Sequence, residues 1–245
     1  MFSASIKARI SGLAMAGALL AAPVAAMAGV VVKSSGPSAG QYPVGMKVAD
    51  DARITLKNGD SVTVLTSKGT RVMRGAGTYN VGESPRATRA RFAALTRKRA
   101  ANRVRTGAVR GAATGEPEEV PMNPNLWYID VSQSGAMCLY DLSAVRLWRP
   151  NAEGIATYRV VDTTNRSAID ITFDDGDAIA ALDPARMTIA AGTPYTIAGP
   201  EGTDASTVTF VSLGEEYGEA DQLAEALVDK GCMAQVSLMA ERLGG

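Results

Sequence analysis

Cys138 and Cys232 are the only two cysteines in 245 residues, and histidine is absent. Together these facts bound the chemistry. Without histidine there is no usual general base at neutral pH, no orienter for a Ser–His–Asp arrangement and none of the commonest metal ligand. Zinc sites built on His or on four Cys are excluded. An isolated cysteine pair outside the cytoplasm is more often bonded than free. Closing that loop of about 94 residues would restrict the unfolded chain by roughly 4 to 5 kcal/mol.

Other candidate groups are weaker. FDDGDAIAALD gathers Asp174, Asp175, Asp177 and Asp183. A calcium loop needs carboxylates at alternating positions closed by a bidentate Glu, which this run lacks, and Asp175-Gly176 reads as a β-turn tip. Neither GxSxG nor GxxxxGK[ST] occurs. The expectation is a non-enzymatic protein without cofactor or metal.

The strongest patterned feature is RATRARFAALTRKRAANRVRTGAVRG, residues 86–111. It carries Arg86, Arg89, Arg91, Arg97, Lys98, Arg99, Arg103, Arg105 and Arg110 with no acidic residue. From residue 116 onward the balance inverts, with seven Lys and Arg against twenty-one Asp and Glu. A zero net charge therefore hides a dipolar chain. Nine cations would neutralise phosphates with steep salt dependence, yet Phe92 is the segment's one aromatic, so nucleic acid is not expected. An anionic membrane surface is less favoured, because Phe92 and Leu95 offer little apolar area to insert. The expected partner is an acidic envelope protein or the chain's own acidic C-terminal half, and a merely solvated linker stays open beside them. Residues 86–105 suit a helix by their alanine content, but the stripe of Phe92, Leu95 and Val104 looks too sparse to bury it.

The elements around this segment are mostly strands. Residues 29–83 hold five short β-branched runs between Gly, Pro, Asn and Asp, and the alternating Ile54, Leu56 and Val62, Val64 flank Asn58-Gly59, a hairpin signal. Residues 124–214 hold eight further runs, ARMTIAAG among them, at the spacing of an antiparallel sandwich. In 215–245, Leu223, Ala226 and Leu227, then Val236, Met239 and Leu243, mark two apolar helix faces, with a stop at Lys230-Gly231. Two short helices in a hairpin follow, with Cys232 at the bend. Residues 1–28 pair Lys7 and Arg9 with an Ala-rich apolar run ending in Ala-Met-Ala, a secretory signal pattern cut between Ala28 and Gly29. A periplasmic or secreted location follows as the expectation.

Two stretches resemble known folds. VVVKSSG, PVGMKVADDARITLKNGDSVTVL and TSKGTRVMRGAGTYNV resemble the FecR-like family of envelope β-domains. The family's signalling members carry a cytoplasmic tail and a membrane span, and the cleavable signal here keeps their anti-sigma role from being carried over. AVRLWRPNAEGIATYRVVDTT resembles the middle of an immunoglobulin or fibronectin type III module, which implies Trp148 as its core aromatic. MTIAAGTPYTIAG resembles the late strand pair, with Gly192 turning toward Tyr195.

The expected organisation is mainly β: a signal peptide (1–28), a FecR-like β-roll or barrel (29–83), a basic helical or flexible linker (84–123), an Ig-like sandwich (124–214) and a helical hairpin (215–245). The expected task is protein interaction or adaptation in the cell envelope, within a sensory system. The alternative is a carbohydrate- or peptidoglycan-binding module using Trp127, Tyr128 and Tyr195 as ligand aromatics.

Overall fold

Three consecutive valines in GVVVKSS have no inside–outside alternation, and a strand of that kind needs cover on both faces. The computed structural model describes residues 27–83, 85–97, 121–200 and 205–244. In it β1 (Met27–Ser35) lies inside a four-stranded antiparallel sheet of order β2-β1-β4-β5, with β2 at Lys47–Ala49, β4 at Ser61–Thr66 and β5 at Gly69–Arg74. Val31, Val62 and Val64 face a ribbon of β3 (Arg53–Leu56) paired with β6 (Gly77–Asn80), which contributes Ile54 and Leu56. Val30, Val32 and Leu65 point the opposite way, into a separate core. Both faces are covered, by different parts of the chain.

The predicted Asn58-Gly59 hairpin is corrected. β3 and β4 flank that turn but do not pair with each other; β3 joins β6, and β4 joins β1 and β5. The physical reason is Asp60, which is buried and accepts hydrogen bonds from the amides of Ser38 (2.9 Å) and Lys57. Its carboxylate ties the turn to the 36–41 loop, so residues 57–60 become a corner between sheets. The true two-residue hairpin is one turn later, at Ser67-Lys68, where Thr66 pairs with Gly69.

Among the described residues the second β-unit has eight strands in two sheets. The five-stranded sheet runs β11-β10-β13-β14-β8, from Ala168–Phe173, Ala156–Asp162, Pro194–Ala198, Ser206–Ser212 and Gly135–Leu139. The three-stranded sheet runs β12-β9-β7, from Ile179–Ala181, Arg146–Trp148 and Tyr128–Asp130. Most neighbours are antiparallel, but β14 pairs with β8, and β7 with β9, in parallel. Alternate residues such as Ile169, Ile171 and Phe173 of β11 fill the core between the sheets. ARMTIAAG forms no strand, although Met187 and Ile189 are buried. Its amides are used locally: Arg186 and Met187 donate to the Asp183 carbonyl, and Ala190 donates to the Tyr195 hydroxyl at 2.9 Å.

Among the described residues three helices complete the fold: α1 (Arg89–Leu95), α2 (Ala220–Asp229) and α3 (Met233–Gly244). α2 turns into α3 through Gly231, whose φ of 76° suits a glycine helix stop. Leu223, Ala224 and Leu227 of α2 and Val236, Met239 and Leu243 of α3 are buried, as their spacing implies. They share one cluster with Val30, Val32 and Leu65 of the first sheet, Phe92 and Leu95 of α1, and Cys138 of β8. The hairpin therefore covers the open face of the N-terminal sheet and also packs on the sandwich. The protein is mainly β, with two β-units and a C-terminal helical pair between them. Cys138 and Cys232 form a disulfide that fastens the helical bend to β8. No helix among the described residues is long and apolar enough to cross a membrane.

Candidate functional site

The cationic segment has a built root. Arg86 exchanges backbone hydrogen bonds with Thr70 of β5, at 2.8 and 3.0 Å. Gly69 makes this approach possible: a Cβ there would lie 2.0 Å from the Arg86 carbonyl oxygen. α1 follows, and the expectation that its apolar stripe is too sparse to bury is overturned. Phe92 and Leu95 are 6% and 4% exposed, inside the helical core. Two residues suffice because α1 has only seven and docks against a cluster that other elements supply.

The chain then reaches residues 125–127. Asn125 Nδ2 donates to the Arg97 carbonyl at 2.8 Å, the Leu126 amide to Leu95 O at 3.0 Å, and the Trp127 indole to Thr96 O at 2.9 Å. Residue 97 and residue 125 thus sit side by side. The two ends of the intervening segment are therefore held together on the body, with no distance between two domains left to span. Arg86, Arg89, Arg91 and Arg97 are all exposed at this root. Lys98, Arg99, Arg103, Arg105 and Arg110 lie outside the described residues, as does the predicted signal peptide up to residue 26.

Charge is a minor part of what holds the root. Arg89 pairs with Glu219 just before α2 at 3.1 Å, but its side chain is 83% exposed. An exposed pair contributes about 0 to 1 kcal/mol. Burying a Phe or a Leu contributes about 1.5 to 3 kcal/mol each. Apolar docking fixes α1, and its arginines face outward. A further ion pair, Lys47 of β2 with Glu225 of α2, raises the lysine pKa through its hydrogen bond.

A groove of about 380 Å³ opens between β7, β8 and α3. Tyr128, Met137, Trp148 and Leu238 contribute apolar wall, and Asp130 and Glu241 contribute charge. β8 is an edge strand of its sheet. At Cys138 that edge is satisfied by a side chain: the buried Gln235 of α3 accepts from the Cys138 amide (2.8 Å) and donates to its carbonyl (2.9 Å) and to Leu126 O (3.0 Å). One primary amide reproduces both bonds of a ladder pair.

The predicted ligand aromatics are corrected. Tyr195 is 0% exposed, in the sandwich core, with its ring 5.4 Å from Phe210. Tyr128 is 3% exposed, and Trp127 is half-buried, its indole bonded to Thr96 and its ring 4.7 Å from Tyr140. These rings do not form a platform for a sugar face. Trp148 is buried but not in the sandwich core; it packs with Tyr128 and Ala178 on the opposite face of β9 and touches the groove. The acidic FDDGD run is structural. Buried Arg149 donates to the carbonyls of Asp174, Asp177, Ala152 and Gly154, with its guanidinium 5.1 Å from the centre of the Phe173 ring. Burial pushes the Arg149 pKa down, partly offset by Tyr158, Asp175 and Asp177.

Sequence reasoning missed Gln235 and the groove. A signal existed: Gln235, Met239 and Leu243 follow a four-residue spacing, which puts an amide on the buried face of α3. Comparison with protein-family models, characterised proteins and solved structures finds no match to the chain.

Proposed function

We propose that the protein is an exported, non-enzymatic interaction module that engages an acidic envelope protein through the cationic stretch 86–111. One observation carries this reading: the stretch is rooted over residues 86–97 by apolar docking and hydrogen bonds, with Arg86, Arg89, Arg91 and Arg97 exposed there. A solvated spacer has no need of such anchoring. The disulfide fits an oxidising, extracytoplasmic compartment, and the signal-peptide reading of residues 1–28 belongs to the same proposal.

The fold resemblances are carried here as readings. Tyr195 is the second residue of β13, and its hydroxyl accepts from the amide of Ala190, five residues upstream, which supports an immunoglobulin-like sandwich with a tyrosine corner. The parallel β7–β9 pair departs from the usual pattern. The FecR-like reading of 29–83 rests on the turn and strand pattern quoted above.

The test is cross-linking in intact cells followed by mass spectrometry, on the native chain and on a variant with Arg97, Lys98 and Arg99 neutralised. Links from residues 86–111 to a second envelope protein, weakened by salt and by the substitutions, are expected. Links confined to residues 116–245 of the same chain would sink the proposal and leave an internal contact.

A further inference from the structure

The groove beside β8 has a feature that an ordinary surface cleft lacks: an adjoining backbone edge already committed to ladder-type hydrogen bonding. Cys138 gives both its N–H and its C=O to Gln235, so the peptide groups on its side of β8 point away from β14. Successive residues of a strand alternate, so the N–H and C=O of Ala136, two residues earlier, face the same way. Ala136 lines the groove. The residues of α3 that line the groove beside Gln235 are Ala234, Ser237, Leu238 and Glu241, and none of them carries an amide like the one that Gln235 supplies one step along. Among the described residues, the edge is closed by a surrogate at Cys138 and no side chain does the same at Ala136.

The walls specify more. Asp130 and Glu241 are the charged residues lining the groove, and neither a lysine nor an arginine lines it among the described residues. Arg242 directs its guanidinium to the carbonyls of Met122 and Asn123 at the rim. Asp130 is held in place by Ser132 and Gln133, which donate to its carboxylate. Tyr128, Met137, Trp148 and Leu238 leave an apolar wall. We infer that this groove takes an extended, cationic segment of a partner protein, which adds a strand to β8 at Ala136, places an apolar side chain against Trp148 and Met137, and sets a Lys or Arg toward Glu241. Main-chain bonds would supply affinity, and the side-chain pocket and carboxylates would supply choice. This site is separate from the cationic root and does not depend on its role.

The experiment uses the full chain and a short fluorescein-labelled peptide of alternating Thr and Val with Lys at both ends, read by fluorescence anisotropy. Saturable binding is expected. Methylating alternate peptide nitrogens removes ladder donors, and two lost hydrogen bonds correspond to about tenfold weaker binding. Glu241→Lys, an exposed position, is expected to weaken binding by a similar factor, and replacing the terminal Lys with Glu should do the same. Equal binding by the methylated peptide, or no saturable binding, overturns the inference. Binding seen only when residues 98–120 are replaced by a short Gly–Ser loop makes the chain's own segment the occupant, and overturns the assignment to a partner. Ala136→Pro removes the edge donor directly; if it disturbs folding, the methylated peptide and Glu241→Lys still decide.

Discussion

Arg166 has a φ of 67° in the turn between β10 and β11, the one non-glycine residue with positive φ among those described. Its amide donates to Asp162 O at 2.9 Å, and Asp162 accepts from the amides of Thr164 and Asn165, so the turn over-determines a backbone that arginine resists. Arg166→Gly is expected to stabilise the protein by about 1 kcal/mol, measured as a shift of the urea midpoint at unchanged slope. Asp60 offers a pH test. Burial pushes its carboxyl up, but the hydrogen bonds from Ser38 and Lys57 outweigh it and hold the pKa below its ordinary value. Its contribution is therefore full above the ordinary carboxylate range and is lost as pH falls through the lower folded-state value. Below about pH 4, thermal stability of the native chain should fall more steeply than that of Asp60→Asn. At this scale the cysteine pair was legible because the compartment and count argue for it. Tyr128 and Tyr195 were not, because residue type says nothing of which side of a strand faces solvent. Their burial follows from the registers of β7 and β13.

Elements were legible where apolar spacing alone decides them. The two faces of the helical hairpin and the long strands β10, β11 and β14 fall where their patterns put them. The Asn58-Gly59 turn was misread because a local signal specifies a reversal, and a buried carboxylate 22 residues from its partner decides which strands pair. α1 was misread for a related reason: its own stripe is poor, and the surface that receives it comes from residues more than a hundred positions later. The two contributions at α1 separate by mutation. Phe92→Ala is expected to cost about 3 kcal/mol in guanidinium unfolding. Arg89→Ala should change stability by no more than about 0.5 kcal/mol, since its ion pair is exposed. Comparable losses from the two would show that charge holds the root after all.

At the scale of the molecule, the adjacency of Arg97 and Asn125 makes a direct prediction. Replacing residues 98–120 with a short Gly–Ser loop is expected to leave the thermal midpoint nearly unchanged, because the replaced segment bridges no gap, while it removes five of the nine cations. A large loss of stability would mean that the segment packs on the body. The bipartite charge and the two β-units were readable from the chain, but the joint between them was not. A pattern can name an amphipathic hairpin without naming the surfaces it covers, and here one hairpin covers two. That arrangement has a consequence for biosynthesis. β1 and β4 are made early, yet Val30, Val32 and Leu65 wait for α2 and α3, which are made long after them. Until then one side of the first sheet stays greasy and bare. A product stopped short of α3 would keep that bare surface and be open to chaperone capture and degradation. Synthesis of the hairpin thus decides whether that surface is ever covered.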